Sequence, residues 1–171
     1  MSTIVDSQIL SMCLSREVLI EPFHASQLNP ASYDVRLGET ILVEQPEGGW
    51  IEESLPYSLA PGEFILGCTE EWVNIPSDME AVFQLKSSRA REGYEHVLAG
   101  YIDPGFSGKV TLELVNVNRY TTLYLVKDML IGQLRFMKTD QPCRIPYSQK
   151  GHYHNDNKVT ASKVNAFGFI S

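Results

Sequence analysis

Residues 99–117 read AGYIDPGFSGKVTLELVNV, and the pattern in this stretch decides the fold class. From Lys109 onward Val110, Leu112 and Leu114 are aliphatic at every second position, the period of a strand with one face in a core. Thr111, Glu113 and Val115 then share the opposite face, because strand side chains alternate. Glu113 is therefore outside the core, yet a threonine and a valine beside it do not describe a freely solvated surface. A cleft or a subunit interface fits that setting, and a partly desolvated glutamate there suits general acid/base work. An ordinary exposed strand glutamate fits the alternation as well. Upstream, Asp103 precedes Pro104 and is biased toward extended geometry, while Pro104-Gly105 suits the centre of a type II turn. The small pair Ala99-Gly100 marks a place where a ligand could approach the backbone closely.

The same alternation recurs along the chain. ETILVEQ (39–45), EFILGC (63–68), EAVFQLK (80–86) and TTLYLV (121–126) read as short strands, divided by Pro61-Gly62, Pro76-Ser77 and Pro104-Gly105. The expectation is a mainly β chain, a barrel or sandwich, and 171 residues suffice for one domain with a real core. One short helix is expected near the start, capped by Asp6 or Ser7, with Ile9, Leu10, Cys13 and Leu14 as its apolar stripe. No apolar run approaches ~20 residues, so no membrane span is expected. The first residues lack the basic segment of a signal peptide. The three cysteines, Cys13, Cys68 and Cys143, are odd in number and widely spaced, which reads as free thiols in a reducing cytoplasm.

A formal net charge of −7 argues against general nucleic-acid binding, which demands a basic surface. A small anionic ligand needs only a local cluster. LKSSRAREG (85–93) supplies one: Lys86, Arg89 and Arg91 flank two serines, the donors and charges a phosphate needs, although a polar turn would read the same way. The zinc-deaminase signature H-x-E followed by P-C-x-x-C is missing, and the lone pair His152 and His154 is too little for a catalytic zinc site. There is no phosphate-binding Walker loop and no G-x-S-x-G elbow. The last part changes character from about Gln141, and SQKGHYHNDNKVTASKVNAFGF within it is polar and dotted with aromatics. It reads either as a loosely ordered tail or as an arm that folds over a ligand or a neighbouring subunit.

Taken together, these segments resemble the dCTP deaminase family of the trimeric dUTPase-like superfamily. LIEPFHASQLNPASYDVRLG (19–38), LKSSRAREG, AGYIDPGFSGKVTLELVN, DMLIGQLRF (128–136) and PYSQKGHYHNDNKVTASK (146–163) match its motifs in order. The resemblance implies a distorted β-barrel with a short N-terminal helix, one domain over 1–171, assembled as a homotrimer with sites between subunits. It implies that residues 141–171 form a C-terminal arm closing over the active site. It implies cytoplasmic hydrolytic deamination of dCTP to dUTP and ammonia without zinc, Mg²⁺ travelling on the triphosphate. Two alternatives stand beside this: a bifunctional enzyme that also cleaves dUTP to dUMP and pyrophosphate, and a catalytically silent nucleotide-binding protein.

By the same resemblance, Glu113 activates water for attack on C4 of cytosine and relays protons to ammonia. Ser87 and the carbonyl of Ala99 orient the water and the amino group, and Arg91 supports the charges around the glutamate. Lys86 and Ser88, with Ser87, align with the phosphate-contacting run; Ala90 and Arg89, the latter replacing a usual aliphatic residue, are further expected substrate-binding positions. Asp103 lies near the deoxyribose, Thr111 and Leu112 read the base edge, and Gln133 and Tyr147 make further contacts. The arm departs from the family pattern K-Y-x-x-Q-x-G: His152 stands for the lysine and Asp156 for the glutamine. An acidic group there is unfavourable to a polyphosphate unless Mg²⁺ or Lys158 intervenes.

Overall fold

The computed structural model describes residues 2–15 and 18–164. The chain opens with β1 (Ser2–Thr3), the helix α1 (Asp6–Ser15), β2 (Leu19–Glu21), a 3₁₀ turn (Ala25–Gln27), β3 (Leu28–Asn29) and β4 (Ser32–Arg36). It continues through β5 (Thr40–Glu44), β6 (Trp50–Ser54), β7 (Tyr57–Leu59), β8 (Phe64–Asn74) and β9 (Met79–Leu85) to a short helix, α2 (Ser87–Glu92). Then follow β10 (Tyr94–His96), β11 (Tyr101–Ile102), β12 (Ser107–Asn116), β13 (Leu123–Leu125), β14 (Leu130–Lys138) and α3 (Tyr147–Lys150).

The strands form two six-stranded antiparallel sheets. One runs β11-β9-β14-β4-β3 with β1 also on β14; the other runs β10-β12-β8-β5-β6 with β2 also on β8. The strands β7 and β13 make a separate pair. The expected barrel is not closed: among the described residues neither sheet's pairing returns to its first strand, and only the isolated bridge Leu37–Thr69 joins the two. The reason lies in the inner faces. Tyr33 and Val35 on β4, Ile65 and Val73 on β8, Leu112 and Leu114 on β12, and Leu134 and Phe136 on β14 are all buried in one core. Two twisted sheets can share such a core face to face without sealing their edges.

Polar groups pin the same layers. Glu71 of β8 is fully buried and accepts from Arg36 Nε and its backbone N–H, both at 2.8 Å, and from Gln27 Nε2 at 3.0 Å. A buried charge is tolerable because it is paired and bonded in this way.

The strand β12 alternates half-buried and buried throughout, with Val110, Leu112 and Leu114 inward and Thr111, Glu113 and Val115 outward. A register shift between Lys109 and Thr111 leaves that alternation intact. The helix near the start exists, but its buried face differs from the expected stripe. Ile9 and Met12 are buried, with Cys13 against the core, while Leu10 and Leu14 are exposed. Ile9, Met12 and Cys13 are spaced by three and four residues and so share a side; Leu10 and Leu14 share another. The segment LKSSRAREG is not a plain turn: six of its residues form α2, ended by Gly93 in left-handed geometry at φ 102°.

A second, smaller apolar cluster sits on the outer face of the second sheet. Leu66, Cys68 and Val159 form it, with Leu42, Trp50, Phe64 and Ala161 at its margin. Val159 and Ala161 come from the C-terminal segment, which therefore folds back onto the sheet. The last residues of the expected arm, 165–171, lie outside the described residues.

Candidate active site

Glu113 lines a cavity of about 480 Å³ on the outer face of β12. That volume is within the range of small-molecule sites. Thr111 lies on the same strand face, Phe64 and Leu66 come from β8, and Ala99, Ile102, Asp103 and Phe106 form one wall. Tyr147, Tyr153, Asp156, Thr160 and Ser162 close the other side from the C-terminal segment.

The D-P-G turn is built as the sequence predicts. Phe106 N–H donates to the Asp103 carbonyl at 3.1 Å across the turn, and Gly105 has a positive φ of 82°. Its further role is to receive the C-terminal segment. Tyr147 N–H donates to the Pro104 carbonyl at 2.8 Å, and the Tyr147 ring lies 5.6 Å from that of Phe106. The expectation for Ala99-Gly100 divides. Ala99 is exposed at the cavity, but Gly100 is small for another reason: a Cβ there would meet the Phe83 carbonyl oxygen at 2.3 Å. Gly108 serves the arm, since a Cβ on it would stand 3.0 Å from the Asp156 carbonyl oxygen.

A neighbour of Glu113 escaped the motif reading. His96, on β10, is buried, with its ring 4.7 Å from that of Phe83, and its Nε2 lies 3.2 Å from Glu113 Oε2. The two atoms are close without being aligned as a hydrogen bond. Val97 N–H donates to the Glu113 carbonyl at 3.1 Å, which ties the segment leading to Ala99 to the glutamate's own strand. No single-residue cue marks His96; its significance comes from the pairing of β10 with β12, where it stands opposite Leu114.

The expected site residues do not all come together. Glu113, Ala99, Asp103, Thr111, Tyr147 and Asp156 line the cavity. Leu112 does not present its side chain there, being fully buried on the core side. His152 lines an adjoining cavity of about 290 Å³ that shares Asp103 and Tyr147 with the first and also holds Lys150. Lys86, Ser87, Ser88, Arg89, Ala90, Arg91 and Gln133 line neither. They lie on α2, at its start and on β14, where Ser87, Ser88, Ala90 and Arg91 are exposed. Lys86 is paired with Asp34, and Gln133 Oε1 accepts from Ser32 Oγ at 2.9 Å. Arg89 is committed to its own surface, donating to the Leu130 carbonyl at 3.0 Å and to Glu92 at 2.8 Å.

In the arm, the compensating cation is not Lys158. That side chain reaches Glu52 at 3.0 Å, whereas Asp156 is met by Lys163. Among the described residues no group of three or more His, Cys, Asp or Glu side chains could hold a metal ion. No helix there is long and apolar enough to cross a membrane.

Comparison with known proteins agrees with the motif order. The dCTP deaminase-like family model matches residues 3–139. A protein of Dictyoglomus turgidum named "dCTP deaminase, dUMP-forming" is 38% identical, the match covering 94% of this chain and 93% of the relative. A protein of the same name from Pseudarthrobacter chlorophenolicus is 38% identical over 89% of this chain and 87% of its own. Among solved structures, the 2'-deoxycytidine 5'-triphosphate deaminase of Agrobacterium tumefaciens superposes with a TM-score of 0.66 at 23% identity, over 78% of this chain and 47% of that one. A dUTPase of phage phi11 of S. aureus gives 0.54 at 15% identity, over 75% of this chain and 94% of its own. These two structures speak for the dUTPase-like fold alone. The match over residues 3–139 and the near full-length relatives make this chain a member of the dCTP deaminase-like family.

Proposed function

We propose that the protein converts dCTP and two waters into dUMP, ammonia and pyrophosphate. This corrects the order of the sequence-based readings, in which dUTP was the leading product and dUMP the alternative. Relatives covering nearly the whole chain carry the dUMP-forming name, and none of the departures in the arm touches Glu113. The observation that carries the chemistry is the half-buried Glu113 lining one cavity with Ala99 and Asp103, with His96 at 3.2 Å.

In this reading Glu113 takes a proton from water as the oxygen attacks C4 of cytosine, then passes protons to N3 and to the departing amino group. The Ala99 carbonyl accepts from the amino group and the water. Thr111 and the main chain at Leu112 read the base edge, and Asp103 stands at the sugar. A second water then opens the bond between the α- and β-phosphates, releasing pyrophosphate. Mg²⁺, where present, would be carried by the triphosphate of the substrate and would leave with the pyrophosphate.

The reading includes a homotrimer. Ser87 and Arg91 are exposed on α2 and do not line the cavity that holds Glu113. A site that needs both groups is complete only when a neighbouring copy brings its α2 to the cavity, as closed symmetric assembly allows. Large exposed apolar side chains such as Leu98, Val117 and Tyr124 suit such a contact. Incubation with dCTP and Mg²⁺ followed by ion-exchange separation tests the proposal: dUMP is the expected nucleotide product, and unchanged dCTP contradicts it.

A further inference from the structure

Asp156 brings a carboxylate to a cavity already lined by Asp103 and Glu113, which is a poor setting for an anionic nucleotide. The structure answers this from within the arm. Lys163 Nζ lies 2.5 Å from Asp156 Oδ1, with side chains 33% and 15% exposed. The same ammonium donates to the His152 carbonyl at 3.1 Å and sits 5.3 Å from the centre of the Tyr153 ring. Lys163 N–H donates to the Tyr153 hydroxyl at 3.2 Å. One lysine thus closes residues 152–163 into a loop. That loop is docked on β12 through Asn155 N–H to the Ser107 carbonyl at 2.6 Å and Lys109 N–H to the Asp156 carbonyl at 2.8 Å. Val159 is buried against Leu66 and Cys68, which anchors the loop's far side.

The other Asp156 oxygen, Oδ2, is buried with no hydrogen-bond partner among the described residues. Without Lys163, a largely desolvated carboxylate would be left without its cation at the cavity, a costly state that the segment would relieve by opening. We propose that Lys163 is a positioning residue that neutralises Asp156 and holds residues 152–163 closed over the cavity before nucleotide arrives. Pre-closure raises the fraction of binding-competent protein, so it lowers the apparent KM for a nucleoside triphosphate without acting on the chemical step. The role in KM rests on the proposed function; the closed segment does not.

The test combines hydrogen exchange of the nucleotide-free protein with steady-state kinetics on dCTP and Mg²⁺, using Lys163→Met, Lys163→Arg, Asp156→Asn and the double variant Asp156→Asn/Lys163→Met. In Lys163→Met, exchange at the Asn155 and Lys109 amides is expected to speed up about tenfold, and KM to rise about tenfold with kcat little changed. Lys163→Arg should keep both near wild type. In the Asp156→Asn background, Lys163→Met should have a clearly smaller effect, because the charge it answers is gone and only its contacts with the His152 carbonyl and the Tyr153 ring are lost. Unchanged exchange and KM in Lys163→Met, or an equal effect of Lys163→Met in both backgrounds, would overturn the proposal. If no variant and no wild-type protein turns dCTP over, the functional reading fails while the exchange data still decide the fastening role.

Discussion

His96 Nε2 stands 3.2 Å from Glu113 Oε2 across the paired strands β10 and β12, a buried imidazole against a half-buried carboxylate. The imidazole is held by its edge contact with Phe83 and limits the positions the carboxylate can take. Leu66 of β8 stands opposite Glu113 and Phe64 opposite Val115, so what β8 brings to the cavity beside the carboxylate is apolar.

Replacement of Glu113 by Gln keeps the shape and removes the proton acceptor. The expected result is a fall in kcat of about 10³-fold or more, with nucleotide affinity by calorimetry changed only a few-fold. Retained turnover would remove Glu113 from its role.

His96→Gln tests orientation rather than proton transfer. With the ring contact to Phe83 lost, kcat should drop about tenfold while KM stays within about twofold. An effect confined to KM would mean that His96 serves binding instead.

Subunit sharing makes a quantitative prediction. Ser87→Ala and Glu113→Gln should each be nearly inactive alone. When the two are unfolded together in equal amounts and refolded, about a quarter of the sites in random trimers pair an intact Glu113 with a neighbour's intact Ser87. Recovery of about a quarter of wild-type activity is expected; no recovery would place both groups within one subunit's site.

Burial pushes the Cys68 thiol up to about 11 from an ordinary 9.0, and the Tyr33 hydroxyl up to about 12 from 10.0. The folded protein therefore keeps protons that the unfolded chain releases. Stability is unaffected by these groups below about pH 9 and falls as pH rises through 9 toward 11 and beyond. Melting temperatures from pH 7 to 11 should show this decline, and Cys68→Ala should lessen its first part, to which Cys13, also pushed up to about 11 by burial, still contributes. A wild-type curve that stays level above pH 9 would contradict the assignment.

Much of this was legible in the residues because strand alternation is local. KVTLELVNV alone put Glu113 on the outward face of its strand, and the D-P-G turn was read with its geometry. Helix α1 was visible, but its buried side was not. Leu10 and Leu14 are as apolar as Ile9 and Met12, and only the position of the sheet selects between them. The open edges of the two sheets and the nearness of His96 to Glu113 depend on long-range pairing, which no short window carries. The arm shows the same limit. Lys158 and Lys163 are both near Asp156 in sequence, and the fold of the loop sends the first to Glu52 and the second to Asp156.

The central claim is that one protein both deaminates the base and cleaves the triphosphate. Its most direct measurement is the stoichiometry of ammonia, pyrophosphate and nucleotide during turnover of dCTP with Mg²⁺. Equal amounts of ammonia, pyrophosphate and dUMP, with no build-up of dUTP, are predicted. Ammonia released with dUTP accumulating and no pyrophosphate would contradict the account.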